Sequence, residues 1–123
     1  MFGLTPAGAV ELREWLSALI STPARDYTAF EAGLSFLPAL APGAVVELLH
    51  ARAAELEGQL AEHHGSRGLG RADVPRVFWV DEEYRDALRR AELDYVRRLA
   101  ADIEAGALAG QEWWAQLHQE ADA

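Results

Sequence analysis

Apolar residues recur at three- and four-residue spacing along most of this chain, and no stretch holds an apolar–polar alternation. Ala9, Leu12, Leu16, Leu19 and Ile20 share one side of a helix expected over residues 6–20. Thr5 can cap it by accepting from a free backbone N–H, and Pro6 suits the first helical position. The segment STPARD interrupts, because Pro23 discourages helix at the residue before it. A second helix over 24–37 carries Tyr27, Phe30, Leu34 and Leu37, with Phe36 to one side and Gly33 leaving room for a close neighbour. PALAPG ends it. A third helix over 42–64 opens with Pro42 and presents Val45, Leu49, Leu56, Leu60 and His63 on a near-heptad course. Residues 65–76 then read as a loop, since the glycines of HHGSRGLGRADVP and its proline cannot support a helix interior.

A fourth helix, over 77–107, carries two apolar stripes. Val80, Tyr84, Leu88, Ala91, Tyr95 and Leu99 form the first; Leu93, Val96, Ala100, Ile103 and Ala107 form the second. Two stripes imply two partners, one in the same chain and one in another. One intramolecular neighbour would leave the second stripe partly bare, so Leu93, Val96, Ala100 and Ile103 are the expected dimer interface. Asp86–Arg90 and Asp94–Arg98 have the spacing of helical ion pairs. Residues 111–123 read as a short acidic tail carrying Trp113 and Trp114. The expectation is a single all-α domain over 1–123, with four to five helices around a long antiparallel hairpin or bundle that dimerises through the long last helix.

Composition narrows the partners. A formal charge of −9 repels phosphate, so this chain by itself is expected to bind neither nucleic acid nor an anionic membrane. No apolar run approaches the ~20 residues of a membrane span, and no secretory signal is visible, so the expected location is cytoplasmic. The chain has no Cys, which rules out disulfides and thiolate metal sites. Arg67, Arg71 and Arg76 gather around the Gly-rich loop, which reads as solvated.

Catalytic chemistry finds little support. His50 follows Glu47 in a single E-x-x-H, whereas a di-iron bundle needs two such units and two further Glu. His63 and His64 are adjacent and point about 100° apart on a helix; His118 lies in the tail. DEEYRD has the look of a solvated helix turn. GSRGLGR follows a helix, not a strand, so it is no dinucleotide fingerprint. The expectation is a non-enzyme with no metal and no cofactor. The aromatics stand out more. Phe78 and Trp79 are adjacent and must diverge, so one of them has to find a second apolar surface. A ligand site for a flat, apolar guest is therefore expected around Trp79, with Phe36, His50 and Tyr84 as further walls.

The order of the phrases FGLTPAGAVELREWL, ARDYTAFEAGLSFLPALAPGAVVELLHARAAELEGQL and PRVFWVDEEYRDALRRAELDYVRRLAADIEAG resembles the C-terminal effector and dimerisation domain of PadR-family transcription regulators, the virulence activator alpha C-terminal type. The likeness runs from Leu4 to Gly106 and includes the turn Ala91-Glu92-Leu93-Asp94-Tyr95. It implies a homodimer that senses a small aromatic ligand. In the family a winged-helix DNA-binding head precedes the first of these phrases; the chain then corresponds to an excised effector domain or to a headless relative. Two other readings use the same residues: a stand-alone protein that binds and sequesters an aromatic drug, and a structural adaptor whose aromatics meet another protein.

Overall fold

The computed structural model describes Gly3, residues 5–23, Asp26, and residues 28–68 and 74–122. Among them are five α-helices and no strand: α1 (Pro6–Ser21), α2 (Ala29–Ser35), α3 (Pro42–Gly68), α4 (Val80–Glu104) and α5 (Gln111–Asp122). Short 3₁₀ turns at Leu37–Ala39 and Arg76–Phe78 precede α3 and α4. The all-α architecture with a long helix pair is the one the periodicity predicts. The chain divides into two compact units, residues 1–35 and 36–123, where the sequence suggests a single domain.

In the first unit, Thr5 caps α1 as expected: its Oγ1 accepts from the Gly8 N–H at 3.0 Å, and Pro6 follows. No residue of α1 is buried, and Trp15, Leu19 and Ile20 stand exposed. The second helix is much shorter than its apolar stripe suggests. Thr28 caps it by accepting from the Glu31 N–H at 3.0 Å, so it begins at Ala29. Thr28-x-x-Glu31 is the residue pattern of a capping box, and that signal lies inside the stretch expected to be helical. The expected start at Ala24, and Tyr27, lie outside the described residues. Pro38 disfavours helix at Leu37 and replaces the expected last turn with a 3₁₀ turn. A Cβ placed on Gly33 would meet nothing, so no described neighbour uses the room that glycine leaves.

The second unit is built on the antiparallel pair of α3 and α4. Val45, Leu49, Ala53 and Leu56 of α3 meet Leu93, Val96, Leu99, Ala100 and Ile103 of α4 in one buried seam. Val96 at its centre has no exposed surface. This corrects the expected dimer interface. Leu93, Val96, Ala100 and Ile103 are already buried against the neighbouring helix of their own chain and leave almost no surface for a second copy. All of the first stripe but Leu99 takes the outer position instead: Val80, Tyr84, Leu88 and Tyr95 are exposed, while Leu99 is buried in the seam. Around the seam, Arg52 makes a two-pronged pair with Glu92 at 3.0 and 3.1 Å, and Arg97 pairs with Glu57. Such half-exposed pairs fix register more than they stabilise. Asp94 and Arg98 form the expected i,i+4 pair at 3.1 Å.

Helix α3 continues to Gly68, past the expected start of the loop. The remaining loop residues 69–73 lie outside the described ones. α4 ends at Glu104, one residue after its last buried side chain, Ile103, because Gly106 adopts φ 69°, the left-handed region open to glycine. The Gly106 N–H donates to the Ile103 carbonyl at 3.1 Å and the Ala107 N–H to the Asp102 carbonyl at 2.8 Å. These two bonds are the Schellman pattern, and they satisfy carbonyls the helix end would otherwise leave open.

Val96→Ala is expected to lower the free energy of unfolding by about 1–3 kcal/mol. Val96→Asp should remove the cooperative transition, since it strands a charge in a dry seam. Urea denaturation followed by circular dichroism checks both.

Candidate functional site

The expected acidic tail is an amphipathic helix. Residues Gln111, Trp114, Ala115 and His118 share one face of α5 at helical spacing, and they are its least exposed. Three of them are held by carbonyls from other elements. The Gln111 amide donates to the Ile103 carbonyl at 2.7 Å, the Trp114 indole N–H to the Leu40 carbonyl at 2.7 Å, and the His118 Nε2–H to the Pro38 carbonyl at 2.8 Å. Two of these bonds reach back to the 3₁₀ turn before α3, and the third to the end of α4. Trp114 is only 4% exposed and belongs to the core. Its neighbour Trp113 must point elsewhere, and it is 61% exposed.

That divergence leaves a recess. Leu37, Pro38, Leu108, Gly110, Trp113 and Trp114 line a half-open groove of about 200 Å³, walled almost wholly by carbon. A second, larger recess of about 420 Å³ adjoins it along residues 106–113 and shares Trp113 as a wall. Gly110, at φ 85°, turns the chain between them. The one ionised group among the lining residues is Glu112. Gln111 Oε1 is buried at the same place without a hydrogen-bond donor.

The four residues expected to form a ligand site do not converge. His50 bonds Glu104 at 2.5 Å, at the end of the hairpin where α4 finishes. Tyr84 lies near the start of α4, roughly 30 Å from Glu104 at about 1.5 Å per residue. Trp79 sits one residue before α4; it is half-buried and donates its indole N–H to the Val74 carbonyl at 3.2 Å. Phe36 precedes the 3₁₀ turn that α5 grips, and it is exposed. The antiparallel course of α3 and α4 thus sends Phe36 and His50 to one end and Trp79 and Tyr84 to the other. Phe78 and Trp79 do diverge as adjacent aromatics must, with Phe78 facing out.

Other candidates resolve into ordinary surface chemistry. Among the described residues no group of three His, Asp or Glu could hold a metal ion. His50, paired with Glu104, lies on the surface and not in the hairpin's interior. The side chains of His63, His64 and Arg67, and all of Arg71, lie outside the described residues. Arg76 grips Glu83 through two bonds, and this hydrogen-bonded carboxylate raises the guanidinium above its ordinary pKa. DEEYRD is not wholly solvated. Asp81 pairs with Arg85 at 3.3 Å on the outside, but Asp86 is buried on the α3-facing side, with Arg89 at 3.9 Å. No described helix is long and apolar enough to cross a membrane.

Comparison of the chain with family models, with curated proteins and with solved structures finds no match in any of the three.

The two tryptophans should part company under mutation. Trp114→Ala is expected to cost about 3–5 kcal/mol of stability, and Trp114→Phe about 1–3 kcal/mol for the stranded carbonyl and lost contact. Trp113→Ala should stay within about 0.5 kcal/mol of the parent. Equal losses in a denaturant series would contradict the division of roles.

Proposed function

We propose that the chain is the ligand-sensing and dimerisation module of a PadR-like transcription regulator, which binds a small planar apolar effector and pairs with a second copy through α4. The observation that carries the reading is the outer stripe of α4. Tyr84 and Leu88 are 64% and 52% exposed, in line with Val80 and Tyr95, along a helix whose opposite face is already packed. A continuous apolar row of this kind on a long helix is the surface on which coiled or bundled partners associate. The sequence likeness to the PadR effector domain supports the same arrangement, although the stripe that pairs is the first and not the second.

Binding of an effector would act by favouring one dimer geometry over another, and so the spacing of DNA-reading heads joined to the two copies. DNA contact falls to such heads. A chain with a formal charge of −9 meets a repulsive field at any phosphate backbone.

Sedimentation at micromolar concentration is expected to give twice the 13.5 kDa chain mass. Leu88→Asp should return a folded monomer, because the charge falls in the joint between copies and not in the α3–α4 seam. A monomeric parent, or a Leu88→Asp variant that remains dimeric, would defeat pairing through this stripe.

A further inference from the structure

We infer that the groove between α5 and the 3₁₀ turn at Leu37–Ala39 binds a small planar aromatic cation, stacked on Trp113 with its charge toward Glu112. The inference rests on the effector-binding half of the proposed function and supplies the site and charge class that half lacks.

Three features converge on it. The first is size. A cavity of about 150 Å³ lined by aliphatic and aromatic carbon takes up benzene. The groove holds about 200 Å³, and the larger recess that adjoins it shares Trp113 as a wall. One or two fused rings fit, with a substituent projecting outward. The second is the wall. Trp113 is largely exposed although Trp114 beside it is buried, so its indole face is free to stack. Leu37, Pro38 and Leu108 supply the opposing carbon, and hydrogen bonds on both flanks fix the groove's sides, from Trp114 to the Leu40 carbonyl and from Gln111 to the Ile103 carbonyl.

The third is charge. Glu112 lines the outer recess, Gln111 Oε1 is buried nearby without a donor, and no arginine is among the lining residues. The local potential is therefore negative, and the chain's overall charge reinforces it. An anionic guest is repelled. A cation gains from the carboxylate and from the indole face, tryptophan being the best ring for such a contact.

Three naphthalenes with one ring system and different charges test this on the full chain by isothermal titration: naphthylmethylamine, naphthalenemethanol and naphthoate. The amine should bind about threefold or more tightly than the alcohol at low salt, the carboxylate should bind weakest, and the spread should narrow as salt rises. Trp113→Ala, checked for unchanged far-ultraviolet circular dichroism, should weaken the amine about tenfold. Glu112→Gln should keep ring binding and bring the amine down to the level of the alcohol. Equal binding in the parent and Trp113→Ala would overturn this site while leaving a sensor with its pocket elsewhere. Preference for the carboxylate, or a charge order untouched by Glu112→Gln, would overturn the charge assignment. No binding at millimolar ligand by a chain that still dimerises through Leu88 would overturn the groove and the effector half together, and leave the dimer half standing.

Discussion

One helix can give its whole length to a neighbour only along one face, and in this chain α3 has taken that face of α4. The seam is close because it is made of small and branched residues. Ala53 and Ala100 let the backbones approach, while Val96 fills the middle with no surface to spare. Everything else about α4 follows from that choice. Its tyrosines, whose hydroxyls are easily kept wet, go to the outside with Val80 and Leu88. The charged residues sort themselves around the seam and pair across it or along the helix, as in Arg52–Glu92 and Asp94–Arg98. The outer row is therefore a remainder of packing, and its length makes it a surface with consequences.

The helices were largely legible in the sequence because their signals are local. Thr5 and Pro6 mark the start of α1, Pro42 that of α3, and Val45, Leu49 and Leu56 the face α3 buries. Which stripe of α4 turns inward is a tertiary question, and apolar periodicity alone weighs both stripes alike. A finer signal was present: the inner stripe is aliphatic throughout and includes alanine and valine, which suit close backbones, and the outer one carries two tyrosines. The ligand residues failed for a related reason. Proximity in a hairpin depends on direction and register, and His50 near one end of α3 cannot reach the start of α4 once the two run antiparallel.

The last helix was hidden by its own means of docking. A buried face usually announces itself with aliphatic residues, but two of the four inward positions of α5 are Gln111 and His118. They are tolerable there because each finds a backbone carbonyl, one at the end of α4 and one in the turn before α3. Hydrogen bonds of this kind reward position strictly, so α5 is placed with more definition than its short length suggests. Adjacent tryptophans then do two jobs that no single aromatic could. One closes the core, and the other stands over the recess that the docking leaves.

The grip of α5 on Pro38 and Leu40 joins chain segments more than seventy positions apart in sequence. The groove has walls from both segments, so it exists only while α5 is seated. A short helix seated by few buried residues and a handful of hydrogen bonds is an element prone to transient opening below the global unfolding free energy. Any guest that occupies the groove binds the seated state alone, and by mass action it slows amide exchange throughout α5 in proportion to its occupancy. Were a small molecule to bind there, its concentration would set the lifetime of a fold element at that end of the hairpin.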